Sequence, residues 1–504
     1  MVSKVKTVAF SGMKPIEIVV EAQISPGISS FNIVGLPDKS VAEAKERVRS
    51  SFFNIGLGFP SKRVTINMAP ADIPKGGSHY DLPIALAILG AMEIIDTLSI
   101  ERYIVIGELG LDGSLAYVSG SLCASMMANE KDMSIICPKV CEKEVILSGN
   151  DSIVAAPSLS SVVNHILGRS QITTNVDIRD LKKERKFDID MSDIYGQDLA
   201  KRALEISASG GHNILMIGPP GSGKSMLSER IQTILPDLTP KEALETTCIY
   251  SISGIGPSDG LINIPPYRSP HHSASLVSMV GGGMDAKPGE ISLSHNGVLF
   301  LDELPEFQKS VIESLRQPLE THNITISRAK EHITYPANIQ LIAAMNPCRC
   351  GFFGVYDKEC PKAPKCAIEY RNKISGPILD RFDMVVYVNN IDISDMFQKS
   401  KGERSDVIRG RVVSARNIQM ERNQKFDDSL YLNSKIRSGT LERILNLDSK
   451  TREFFLNAVE KMKISARGFH KILRVSRTIA DLEMSQNVRI NHVAEAMQYR
   501  LLDI

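Results

Sequence analysis

Apolar and polar positions divide this chain into three stretches. In the first, Thr7 to Phe10 and Ile16 to Glu21 read as two paired strands, and Arg63 to Pro70 and Tyr103 to Gly107 as two more. Between Val41 and Asn54 the apolar residues Val41, Ala44, Val48 and Phe52 recur at the spacing of one helical face, and 81–92 reads as a second helix. Residues 1–168 are therefore expected to form a mixed α/β unit. A polar run at 169–190, containing Lys182-Lys183-Glu184-Arg185-Lys186, has the character of a connector. From 191 to 400, short apolar runs at 213–217, 297–301 and 339–345 read as buried parallel strands, with an amphipathic helix expected at 199–209. After Lys401 the chain becomes helical and more basic, and Ile464 to His470 opens a helix whose apolar face includes Ile472, Val475, Ile479 and Leu482.

Composition changes this picture little. A chain of 504 residues is too long for one core, and 43% hydrophobic with 23% charged residues excludes a disordered or fibrous protein. The net charge of +1 gives no overall basic surface, so a nucleic-acid partner would have to be held by local loops. The first fifteen residues contain no apolar leader core, and no run approaches a membrane span. A cytoplasmic protein with no membrane partner is expected. Eight cysteines in so long a chain are not a secreted disulfide framework.

The strongest chemistry is Gly218-Pro219-Pro220-Gly221-Ser222-Gly223-Lys224-Ser225, set between an apolar run and a helical one. Glycines keep side chains away, so that successive backbone N–H groups can cradle a polyphosphate at the positive end of the helix. Lys224 is expected to reach the β- and γ-phosphates of ATP, and the Ser225 hydroxyl to ligate Mg²⁺. Downstream, Val298-Leu299-Phe300-Leu301 runs into Asp302-Glu303, which places two carboxylates at a strand end beside those phosphates. Asp302 would hold Mg²⁺, and Glu303 would act as general base on the attacking water. Asn346 ends the next apolar run, where its side chain can orient that water.

Two further clusters invite a metal. Cys348, Cys350, Cys360 and Cys366 are four soft ligands within nineteen residues and suit tetrahedral Zn²⁺, although paired C-x₂-C knuckles are lacking; four free thiols in a reducing compartment is the other reading. The tandem His271-His272 is read as structural, because sequence neighbours seldom point the same way.

Gly35-Leu36-Pro37-Asp38, 64–72 and Gly76-Gly77-Ser78-His79-Tyr80-Asp81-Leu82-Pro83, together with the nucleotide loop, resemble the ComM (YifB) branch of the magnesium-chelatase-like AAA+ proteins. The resemblance implies a Lon-protease-like (ribosomal S5-like) N-terminal α/β domain, an AAA+ parallel-sheet ATPase core at 191–400 and an α-helical C-terminal lid at 401–504. A Lon-type site needs a serine and a lysine, but their positions fall near His79 and Ala124, so the protease fold is expected without the protease. The resemblance further implies that Gly196-Gln197 lies by the adenine and that Asn346 is the sensor-1 residue. Arg381, in Gly376-Pro377-Ile378-Leu379-Asp380-Arg381-Phe382-Asp383, matches the arginine finger supplied by a neighbouring subunit, and Arg467 matches the sensor-2 arginine. Arg474 and Arg477 read as solvated or lid-packing. Two inserts, one around Gly281-Gly282-Gly283-Met284-Asp285 and one a hairpin with Arg328 and Lys330 near its turn, are where such motors touch substrate. The function implied is a homo-hexameric, ATP-driven translocase on single-stranded or branched DNA that promotes branch migration of incoming DNA. A chelatase-type or chaperone-like motor acting on a protein partner is the alternative.

Overall fold

The computed structural model describes residues 2–174, 176, 185–255, 260–283, 286–327, 332–354, 360–390, 402–426, 432–445 and 447–500. The N-terminal strands β1 (Val2–Ser11) and β2 (Lys14–Ser25) pair antiparallel with Thr7 opposite Ile18, longer at both ends than the apolar runs alone suggest. With β3 (Ser30–Val34), β4 (Arg63–Ala69), β5 (Tyr103–Val105), β6 (Ser134–Pro138) and β7 (Ile153–Ala156) they form one mixed sheet in the order β3-β4-β2-β1-β5-β6-β7. Helix α1 (Lys39–Asn54) is capped by Asp38, whose carboxylate accepts from the Val41 N–H at 2.8 Å, and it buries Val41, Ala44, Val48 and Phe52 as their spacing predicts. Helix α2 (Asp81–Ala91) has buried residues over nearly its whole length. Strand β5 stops two residues short of the expected end. The Gly107 N–H turns to the His79 carbonyl, and a Cβ at Gly107 would meet Leu82 of α2 at 3.0 Å. Helix α3 (Ser121–Glu130) follows, and α4 (Leu159–Ile166) closes the unit.

The connector is anchored at both ends. The Ile172 N–H donates to His165 Nδ1, while Arg185 donates to Asp237 and to the Gln232 carbonyl. Beyond it, α5 (Asp198–Gly210) leads to β8 (Ile214–Ile217) and α6 (Lys224–Ile234), followed by α7 (Pro240–Ser253), β9 (Tyr267–Arg268) and β10 (Val298–Leu301). The antiparallel hairpin β11 (Asn323–Ser327) and β12 (His332–Pro336) precedes β13 (Gln340–Met345), α8 (Lys365–Arg371), α9 (Gly376–Leu379) and β14 (Met384–Tyr387). Five strands build a parallel sheet in the order β9-β10-β13-β8-β14.

This sheet carries a core on each face, which is why its strands read as unbroken apolar runs. Ile214 and Met216 of β8 join one core with α5, α6 and the C-terminal helices; Leu215 and Ile217 join the other. The C-terminal helices are α10 (Ser405–Asn423), α11 (Ser438–Leu445), α12 (Ser449–Lys461), α13 (Ala466–Leu482) and α14 (Ile490–Gln498). Helix α13 is capped by Ser465 and buries Ile472, Val475 and Ile479 fully and Leu482 largely. Arg477 is buried there, bonded to Asp481 and to the Ser485 and Gln486 carbonyls, and Arg474 donates to the Ile436 carbonyl; both are packing residues.

The N-terminal unit meets the opposite face. Leu122 and Cys123 of α3 join the core containing Leu215, Glu144 accepts from the Ser251 hydroxyl of α7, and the Gly120 N–H donates to the Ser251 carbonyl at 3.1 Å. Among the described residues no helix is long and apolar enough to cross a membrane.

Candidate nucleotide site

The loop from Gly218 to Ser225 leaves the C-terminal end of β8 and enters α6. Gly218 is needed there for space, since a Cβ would lie 2.1 Å from the Val388 carbonyl oxygen. Gly221 and Gly223 instead have left-handed backbones (φ 78° and 87°) and open space around them, which leaves the concave side of the loop clear. Lys224 folds back into this concavity: its Nζ donates to the carbonyls of Gly218 and Pro219, both at 2.8 Å, and to Asn346 Oδ1 at 3.3 Å. Burial lowers its pKa, while Asp302 and Glu303 pull it the other way. The Ser225 hydroxyl donates to Asp302 Oδ2 at 2.6 Å, and Asp302 Oδ1 accepts from the Glu303 N–H at 2.9 Å. Gln197 at the head of α5 donates to the Asn389 carbonyl at 2.5 Å and to the Ser222 carbonyl at 3.4 Å, so the Gly196-Gln197 pair also borders the loop.

Glu303 has a left-handed backbone (φ 52°), and its half-exposed carboxylate meets His272 Nδ1 at 3.4 Å. His272 follows β9, the strand beside β10, so sheet pairing supplies a neighbour for the acid from 31 residues upstream. The sequence reading treats the two histidines as structural. They do not part company, contrary to the premise that sequence neighbours seldom point the same way: their rings lie 4.1 Å apart, with His271 Nδ1 on the Ser273 hydroxyl and His272 Nδ1 on Glu303. No motif marks this contact, because it exists only once the strand order is known.

Arg381 and Arg467 lie elsewhere. The Arg381 carbonyl accepts from the Asn213 side chain at 3.1 Å, and Asp383 Oδ2 accepts from the Asn213 N–H at 3.0 Å. Asn213 precedes the four-residue strand β8 whereas Gly218 follows it, and the five residue steps between them separate the two edges by about 16 Å. The Arg381 guanidinium pairs with Glu320, and Arg467 lies 3.6 Å from Asp380 with its side chain 62% exposed. Burial, and then the charges of Arg467 and Arg316, lower the Arg381 pKa. Below them Asp383 is buried beside Lys471 (3.4 Å) and His212 (3.8 Å). Burial opposes its charge, yet these partners hold its pKa well below the usual carboxylate range.

The four clustered cysteines stand beside the nucleotide loop. All four sulfurs fall within 4.8 Å of one another, with Cys348 to Cys350 and Cys360 to Cys366 both at 3.1 Å. Of the inserts, Gly281-Gly282 pairs with Lys287-Pro288, and Ile333 of the hairpin packs against Gly12 at the β1–β2 turn. Met284, Asp285, Arg328 and Lys330 lie outside the described residues. In the N-terminal unit, the Ser78 hydroxyl donates to Glu108. His79 Nε2 bonds the Val8 carbonyl at 2.8 Å, burial having pushed its pKa down to about 4. Ala124 is fully buried.

Residues 190–396 match the family described as magnesium chelatase, subunit ChlI; residues 20–140 match subunit ChlI of Mg-chelatase, and residues 402–500 match magnesium chelatase, subunit ChlI C-terminal. The chain is similar to YifB of Escherichia coli, with 41% identity over 99% of this chain and 97% of that protein. It is equally similar to the competence protein ComM of Haemophilus influenzae, with 41% identity over 98% of this chain and 96% of the relative. A more distant likeness, 24% identity over 73% of this chain and 39% of the relative, is to a DNA replication licensing factor of Schizosaccharomyces pombe. With near-complete coverage at this identity, the chain belongs to the ComM/YifB family of magnesium-chelatase-like AAA+ proteins.

Proposed function

We propose that this protein is an ATPase motor that works as a hexameric ring, translocates on single-stranded or branched DNA as a helicase, and promotes branch migration as incoming DNA is integrated. Family membership implies use of ATP and Mg²⁺. The observation that carries the ring is the separation of the two arginines from the loop: Lys224, Ser225, Asp302 and Asn346 meet at one edge of the sheet, while Arg381 and Arg467 stand at the other. An arginine so placed can serve a phosphate held by the next subunit.

On this reading Lys224 exchanges the Gly218 and Pro219 carbonyls for β- and γ-phosphate oxygens. Ser225 and Asp302 fit Mg²⁺, because their oxygens at 2.6 Å need open only to about 3.0 Å, the edge of an octahedron with bonds of about 2.1 Å. Ser225 and Asp302 would hold Mg²⁺, which when bound would offset charge on the phosphates. Glu303 takes a proton from the attacking water, Asn346 orients that water, and Arg381 of the neighbour balances charge gathering on the γ-phosphoryl oxygens. The N-terminal unit is read as Lon-like without protease chemistry, and the C-terminal helices as the lid.

DNA as the substrate is supported by the names of two relatives, a competence protein and a replication licensing factor. The chelatase family match favours a second reading, a motor remodelling a protein partner. ATP turnover with and without forked DNA separates them. Several-fold stimulation with unwinding of branched substrates is the expected outcome; turnover indifferent to single-stranded and forked DNA rejects DNA as the substrate.

A further inference from the structure

We propose that Cys348, Cys350, Cys360 and Cys366 bind one Zn²⁺ ion, and that this ion braces the nucleotide loop from the side. The eight cysteines fall into two kinds. Cys123 and Cys248 are buried together in one apolar core and Cys137 and Cys141 in another, where a thiol packs as a small hydrophobe. Cys348, Cys350 and Cys360 come from the segment between β13 and α8, in which the described residues form neither strand nor helix, and Cys366 from the first turn of α8, yet their sulfurs converge. Four thiolates at about 2.3 Å from one tetrahedral ion lie about 3.8 Å apart. The observed group, from 3.1 Å for its closest pairs to 4.8 Å at most, surrounds a space of that size. A disulfide requires about 2.05 Å, so neither close pair has disulfide geometry. Exposed basic residues at Arg349, Lys362 and Lys365 offset the net negative charge that four thiolates leave around a divalent ion.

The bracing follows from what the cluster touches. Cys348 comes two residues after Asn346, whose side chain accepts from Lys224. Gly351 turns with φ 85°, its N–H donating to the Cys348 carbonyl at 2.9 Å, and it lies so close to Pro220 that a Cβ would come within 2.5 Å of Pro220 Cδ. The cysteine loop thus presses on the nucleotide loop at Pro220 and carries Asn346 at its root. Fixing the four sulfurs fixes both contacts. This second half of the proposal rests on the nucleotide reading; the metal itself does not.

The test uses the full chain purified without chelator and given Zn²⁺ during expression. Elemental analysis is expected to find one zinc per chain in the wild type, loss of zinc in a Cys360→Ser/Cys366→Ser variant, and retention in Cys366→His, where imidazole can replace thiolate. Wild-type protein without zinc, with thiol titration finding free thiols or disulfides at these positions, overturns the metal site. For the bracing, the zinc-free variant, with circular dichroism unchanged, is expected to bind a fluorescent ATP analogue about threefold to tenfold more weakly. Unchanged affinity in that variant overturns the bracing. Failure of the zinc-loaded wild type to bind the analogue would instead count against the nucleotide reading and leave the zinc site standing.

Discussion

The two edges of the parallel sheet differ in which side chains they bring together. At the C-terminal edge every predicted phosphate-handling side chain has a partner within the chain: Lys224 with two loop carbonyls and Asn346, Ser225 with Asp302, Glu303 with His272. At the N-terminal edge Arg467 is largely exposed beside Asp380, and Arg381, 15% exposed, is paired with Glu320. On the proposed reading the first edge grips a nucleotide and the second supplies the triggering arginine to a neighbouring copy, so that turnover needs two copies to meet.

The largest effect that would sharpen this contrast is at the arginine edge. Arg381→Ala is expected to lower ATP turnover by about 10³–10⁵ while leaving ATP binding to the isolated chain intact; steady-state ATPase and equilibrium binding measured on one preparation check both halves. Glu303→Gln, at the gripping edge, is expected to cost about 10²–10⁴ in turnover and likewise to retain nucleotide. If Arg381→Ala abolished binding instead, the division between edges would fail.

Next comes the support beneath the arginines. Asp383→Asn leaves Lys471 without its buried counter-charge and is expected to destabilise the fold by about 3–5 kcal/mol at neutral pH. Because the folded-state pKa of Asp383 is depressed, its contribution is present above the unfolded value of about 3.9 and is lost as pH falls through the folded one. Urea midpoints of wild type and variant should therefore differ most at neutral pH and converge below about pH 4; a gap that widened on acidification would contradict the assignment. The smallest effect is expected at His272, where His272→Ala removes one contact to Glu303 and should slow turnover by about twofold to tenfold without altering ATP affinity.

Much of the gripping edge was readable in the chain because its chemistry is local. Gly218 to Ser225 is contiguous, and the strand ending in Asp302-Glu303 carries its two acids side by side. The same holds for α1 and α13, where one face repeats at helical spacing. What could not be read depends on which strands become neighbours. His272 meets Glu303 because β9 pairs with β10, and Arg381 stands at the far edge because β14 runs parallel to β8 and begins beside Ile214. The bond from Ser251 to Glu144 joins residues 107 positions apart and leaves no periodic trace. Nor does spacing announce that Gly351 rests on Pro220, which ties the cysteine loop to the nucleotide loop.

The most direct measurement mixes two inactive proteins. Glu303→Gln lacks the proposed base but keeps Arg381; Arg381→Ala keeps the base but lacks the arginine. If the nucleotide is gripped by one subunit and triggered by the next, titrating one variant into the other should restore ATP turnover well above either alone, with a maximum at intermediate ratios. Mixtures that co-assemble and bind ATP yet stay as inactive as their components at every ratio would contradict the account.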